Sequence, residues 1–352
     1  MFVDYFKIAD QIPAKFIAPE WAKGFHCLKS SCGVCCITDP PPETPKAYLP
    51  ILEKSICGFY VTKTRLCRRY DDRPLGCRLY PFIIGSEKGH LSFSACLACP
   101  STNLQTNEVK ESVQQMFSNK SMMTYVRTIA SLYNSAASKP AIWMNAIDCW
   151  IALGSAVKSC MAGEASFPLM PRIREAAIEA IAHSLRTEKL QVAPFSFHDV
   201  LTQLSGSYIA TRFESHSLCA IKKKGQKTHI ALLDGDLHVL RRTKIKTPLL
   251  PASLEIDDRA KRLLRDYVEF LCNRPFISLS AYTSLAVNND PVPFNILAMF
   301  VGSFAVFDAG ATLIAMRDNL ERVDADTMRE IISLSEVALC SVFLSPKAAL
   351  HH

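Results

Sequence analysis

Nine of the chain's 14 cysteines fall between Cys27 and Cys99, and four of those sit in the ten residues of CLKSSCGVCC, 27 to 36. So much sulfur in so short a span limits what the span can fold into. Cysteine is a small apolar side chain, and a segment also broken by the proline-rich turn DPPPETP (39–45) has few large groups to bury. Something other than a large core must hold it. The remaining five cysteines (Cys149, Cys160, Cys219, Cys272 and Cys340) are scattered singly and read as small buried residues.

Disulfides are one way to staple such a segment, and they belong to oxidising compartments. The opening MFVDYFKIADQIPAKF carries Asp4 and Asp10 and no uninterrupted apolar stretch, so it does not read as a secretory signal. The most membrane-like run, Ile296 to Met316, is interrupted by Asp308 and reads as a buried helix rather than a span. A cytoplasmic protein without a membrane span is expected, and with it reduced thiols and metal binding.

The spacing supports metal. Cys32/Cys35 and Cys96/Cys99 are two C-x-x-C units, each able to present two thiolates to one ion from a tight turn. Zinc and iron–sulfur clusters use the same thiolates, so spacing alone leaves both open. The ligand candidates are Cys27, Cys32, Cys35, Cys36, Cys67, Cys77, Cys96 and Cys99, with Cys57 as a ninth and His26 as an outlying imidazole. Cys35 and Cys36 are adjacent, and adjacent side chains point apart, so the pair serves two sites or one of them bridges. Arg73 and Arg78 lie close in sequence to Cys77; their charge would offset that of a four-thiolate site.

These residues also form a larger pattern: C-x-x-C-C at Cys32, Cys35 and Cys36; then Cys67, Tyr70, Arg73, Pro74, Cys77, Arg78, Pro81 and Phe82; then a closing C-x-x-C-P at Cys96, Cys99 and Pro100. The pattern resembles the YkgJ-type cysteine-cluster family, described as zinc- or iron-chelating and related to the FliB-type flagellin lysine N-methylases. Cys27 stands where the family's first cysteine belongs, with a longer gap to Cys32. The resemblance implies metal at these cysteines, with Tyr70, Arg73 and Arg78 around it. It extends to S-adenosylmethionine and protein-lysine methylation only if the chain is methylase-like, with a [4Fe-4S] cluster as the iron form. It covers residues 25 to 100.

Against methyl transfer, the chain has 13 glycines and no G-x-G-x-G turn of a nucleotide-binding α/β methyltransferase. Cys27/Cys32/Cys35 also misses the C-x-x-x-C-x-x-C of radical adenosylmethionine enzymes by one residue. A zinc-ribbon-like module gripping nucleic acid or protein is the remaining alternative. The net charge of +7 permits an acidic partner, but residues 1 to 105 hold 13 Lys/Arg against 9 Asp/Glu with no interleaved aromatic platform. KKKGQK (222–227) reads as a solvated basic turn. Nucleic acid is therefore not the expected partner; the sequence names no partner and leaves open a protein meeting the helical region.

Beyond residue 105 the pattern turns helical. Ile173, Ala177, Ile181 and Leu185 make one stripe, and Leu264, Tyr267, Val268 and Leu271 another. Asp324 or Asp326 is placed to cap a third helix. THIALLDGDLHVLRRTKI reads as a hairpin about Asp234-Gly235-Asp236, with a further strand in SYIATRFESHSLCAIKKK. His229 and His238 flank that hairpin as solvent-facing strand residues. The expectation is an α+β protein: a loop-rich, metal-bound cysteine module over 1–105, then a mainly helical region over 106–352 with a β-hairpin near 228–246.

Overall fold

In the computed structural model, residues 2–8, 12–22, 36, 44–49, 54–64, 66–74, 77–78, 80–87, 90–99, 113–114, 116, 120–124, 127, 140–161, 166–184, 200, 208–212, 217–233, 238–248, 251–274 and 292–343 are described. The protein is α+β. The described residues of the N-terminal hundred are less loop-like than the Cys, Pro and Gly content of that segment implies. Strands β1 (Phe2–Lys7), β2 (Pro13–Ala18), β7 (Phe82–Glu87) and β8 (His90–Ala95) form one sheet in the order β1-β2-β8-β7. β2 and β8 run parallel, with Phe16 opposite Phe93; the outer pairs are antiparallel. Alternation makes this sheet: Phe6, Ala14, Phe16, Ala18, Phe82, Ile84, Leu91, Phe93 and Ala95 are buried in one cluster, while Tyr5 points to solvent. Short ladders β3 (Lys46–Leu49) with β4 (Lys54–Cys57), and β5 (Tyr60–Val61) with β6 (Leu66–Cys67), lie between β2 and β7 in sequence.

The expected helices are present. They are α2 (Met170–Ser184), α3 (Asp258–Asn273), α4 (Val292–Asp318) and α5 (Ala325–Phe343), preceded by α1 (Pro140–Met161). Ile173, Ala177 and Ile181 are buried, as are Leu264, Tyr267, Val268 and Leu271; Leu185 lies outside the described residues. Asp257 caps α3, its Oδ1 accepting from Ala260 N at 2.7 Å. Asp324 caps α5 in the same way through Thr327 N at 2.8 Å.

Helix α4 is the membrane-like run. It is buried from Val301 to Ala315 except for half-buried Ser303, because it packs on α1, α2 and α5, and a helix apolar on every side belongs inside a core. No helix among the described residues is long and apolar enough to cross a membrane. Asp308 is 2% exposed, and its Oδ1 accepts from Leu169 N at 2.7 Å, so the lone acid is a partnered buried group. The helix ends at Asn319, whose φ of 53° lets Leu320 N reach back to Ala315 O at 2.9 Å.

The hairpin is also present, as part of a larger meander: β10 (Tyr208–Arg212), β11 (Ser217–Lys224), β12 (Lys227–Leu233) and β13 (Val239–Lys246), antiparallel in that order. Gly225, at φ +57°, supplies the left-handed residue of the two-residue turn between β11 and β12. The Asp234-Gly235-Asp236 turn lies outside the described residues. A small third sheet joins β9 (Ser166–Phe167), β14 (Leu254–Ile256) and β15 (Arg322–Val323).

The principal core does not stop at residue 105. Ile17, Ala22, Cys96, Leu97 and Ala98 share one buried cluster with α1 to α5 and the meander. Its centre is aromatic: Phe167 stacks on Phe307 at 5.9 Å, Phe307 on Tyr267 at 5.6 Å, and Phe270 lies 6.4 Å from Tyr267.

Candidate metal centre

The candidate cysteines sit in turns and strand ends. Cys57 ends β4 and is buried; Cys67 ends β6, half-buried, opposite Tyr60. The chain then turns, with Tyr70 N donating to Cys67 O at 3.2 Å. Cys77 lies in a helical turn closed by Arg78 N to Pro74 O at 3.1 Å. Cys96 and Cys99 are 3% and 6% exposed and share a turn closed by Cys99 N to Cys96 O at 3.1 Å.

The segment that follows one of these turns meets the start of another. Phe82 pairs with Ala95 at one end of the β7–β8 ladder, and Cys96 N donates to Pro81 O at 2.7 Å. The segment leading from Cys77 and the turn from Cys96 to Cys99 therefore leave the same end of that ladder. Cys36 falls in a helical residue and is half-buried. His26, Cys27, Cys32 and Cys35 lie outside the described residues. Among the described residues no group of three or more His, Cys, Asp or Glu side chains is arranged to hold a metal ion. What they supply is one two-cysteine turn, Cys96 to Cys99; the other C-x-x-C of the sequence, Cys32/Cys35, lies outside the described residues.

Each neighbouring arginine gives its Nε to backbone. Arg73 Nε donates to Tyr70 O at 2.8 Å and its guanidinium lies 3.9 Å over the Tyr70 ring. Arg78 Nε donates to Arg73 O at 2.8 Å. These bonds fix the loop that carries Cys77, a scaffolding role that the charge-offset expectation did not include.

A second feature escaped the sequence reading. Glu336, fully buried on α5, accepts at Oε2 from Leu97 N (3.1 Å), the amide between Cys96 and Cys99. Its Oε1 accepts from Arg274 Nη1 (2.7 Å) and from Tyr267 OH (2.9 Å). Arg274, 2% exposed, also donates to Ala95 O at 2.9 Å and lies 4.8 Å over the Phe270 ring. A fully desolvated ion pair thus holds the two residues that flank the start of the cysteine turn. The only sequence signal was a lone acid in the apolar run IISLSEVALC.

The other thiols differ. Burial pushes the Cys272 thiol up to about 12, against a smaller opposing effect of Lys158; it is a core residue with little thiolate character. His229 is half-buried on β12 and His238 is exposed before β13.

Comparison with protein-family models, with curated proteins and with solved structures found no match.

Proposed function

We propose that the chain is a cysteine-cluster metalloprotein of the YkgJ type, binding zinc or an iron–sulfur cluster through the cysteines between Cys27 and Cys99. The observation that carries the reading is the buried Cys96–Cys99 turn, set beside the Cys77 segment at one end of the β7–β8 ladder and gripped by Glu336 through the Leu97 amide. A two-thiolate turn has this form, and the sequence holds its counterpart at Cys32 and Cys35. The thiolates would be the ligands. Tyr70, Arg73 and Arg78 would shape the loop around them.

The test is a pair of serine variants on the full chain. Cys96→Ser/Cys99→Ser is expected to remove at least one metal equivalent from the purified protein, while Cys272→Ser leaves the content unchanged. Equal metal content in both would overturn the reading. Protein-lysine methylation with S-adenosylmethionine is the next question only if the metal proves to be iron with sulfide.

A further inference from the structure

Lys222 to Lys227 reads in the sequence as a basic turn; in the structure it is the edge of a wider surface. Strands β11, β12 and β13 contain eight Lys/Arg and no Asp or Glu. Register decides which of them share a face. Lys224, Lys227 and Lys246 stand opposite one another across the three strands, and Lys222, His229 and Lys244 form the next row. Arg242 opposes Ala231 in the row after that. Directly opposed residues, and residues two apart along a strand, lie on one side of a sheet. The alternate positions Ile221, Ile230, Leu232 and Ile245 pack into the helical core, so the basic face looks away from it. Lys224, Lys227, Arg242, Lys244 and Lys246 are exposed, and Lys222 and His229 are half-buried.

Folding gains nothing from this arrangement, because like charges directly opposed across a ladder destabilise it. The groups feel one another. Burial and then Lys224 hold Lys222 below the usual lysine range. Burial, followed by Lys244, Lys224, Lys227 and Lys222, lowers His229. Strands about 4.8 Å apart with a two-residue repeat of about 6.8 Å place six cations on a grid of roughly 10 by 14 Å. A partner of comparable charge density is a nucleic-acid duplex, with one negative charge per about 1.7 Å of axis.

The basic positions bring no aromatic ring for stacking on single strands, and the one large apolar side chain exposed beside them on β13, Leu240, is too little to anchor a bilayer. Five of the six cations are lysines, point charges suited to phosphate rather than to paired contacts with a base edge. We propose that this sheet face binds the phosphate backbone of double-stranded nucleic acid without reading its sequence. The proposal is independent of the metal centre.

The test is fluorescence anisotropy of a labelled duplex with the full chain, between about 50 and 200 mM salt, on two unrelated sequences. Six phosphate contacts give a slope of log affinity against log salt near −5, so affinity falls about a thousandfold over that range and equally for both sequences. Lys224→Gln/Lys227→Gln/Lys244→Gln/Lys246→Gln is expected to reduce the slope by about four. Lys63→Gln/Arg259→Gln, exposed elsewhere, should leave it unchanged. Circular dichroism confirms that both variants fold. No duplex binding at the low salt, equal loss in both variants, or retention only on vesicles of anionic lipid would each overturn the proposal.

Discussion

Glu336 and Arg274 are both fully buried at the side chain, and each is tolerable there only because the other, with Tyr267 OH, Leu97 N and Ala95 O, answers its charge and hydrogen-bonding groups. Glu336→Gln would leave the Arg274 guanidinium without its counter-charge. The expected cost is about 3–5 kcal/mol, since removing one partner strands the other in a low-dielectric site. Urea unfolding measures it, and a loss of a few tenths would show the pair to be solvated. Cys272 makes a simpler case. With its thiol pushed up to about 12, it should resist alkylation in native protein at neutral pH and label only on unfolding. The sign of its pH effect follows. The thiol ionises more readily in the unfolded chain, so its contribution is whole below the ordinary thiol value of 9.0 and is lost as pH climbs toward 12.

At the scale of elements, α5 begins where Asp324 caps it. Thr327's backbone N–H, the largest influence, holds the Asp324 carboxyl below its usual range. Its stabilising contribution is therefore present above the ordinary carboxylate pKa and is lost as pH falls through the lowered value. Asp324→Ala should cost about 1 kcal/mol at neutral pH, with the gap in Tm from the parent closing in acid. Helix packing gives a paired prediction. A Cβ on Gly310 would lie 2.9 Å from Leu334 Cδ2, a side chain with no exposure to yield into, whereas at Gly154 the nearest atom is 3.5 Å away. Gly310→Ala should destabilise by about 1–3 kcal/mol, and Gly154→Ala should be neutral or stabilising by up to about 1 kcal/mol. Matching losses from both would contradict the packing of α4 on α5. The stripes of α2 and α3 were legible because period and burial coincide. The N-terminal sheet was not read, although Ala14, Phe16 and Ala18 alternate as a strand requires, because cysteine and proline density dominated that segment. The Glu336–Arg274 pair was illegible for another reason: a charge in a helix reads as solvent-facing until its partner, 62 residues away, is known. The basic sheet face needed register, which places Lys246 beside Lys227 though they are distant in sequence.

At the scale of the molecule, described residues on both sides of the boundary read near residue 105 share one core. Ile17, Ala22 and Leu97 pack with the helices, Glu20 N donates to Asp266 Oδ2 at 2.7 Å, and Glu336 holds the cysteine turn. The N-terminal sheet and the helices should therefore unfold together. Trp21 packs against that shared core. In a Trp143→Phe/Trp150→Phe background, its fluorescence should report the same denaturant midpoint as far-ultraviolet circular dichroism. Two separated transitions would show the N-terminal part to be an independent unit.

The most direct test of metal binding is the metal and acid-labile sulfide content of protein purified without oxygen, read alongside its visible absorption. A metal-bound cysteine cluster gives either zinc, up to about two per chain given four thiolates each, in colourless protein, or iron with sulfide and a broad visible charge-transfer band. Protein free of both metals, folded and with its thiols reduced, would contradict it.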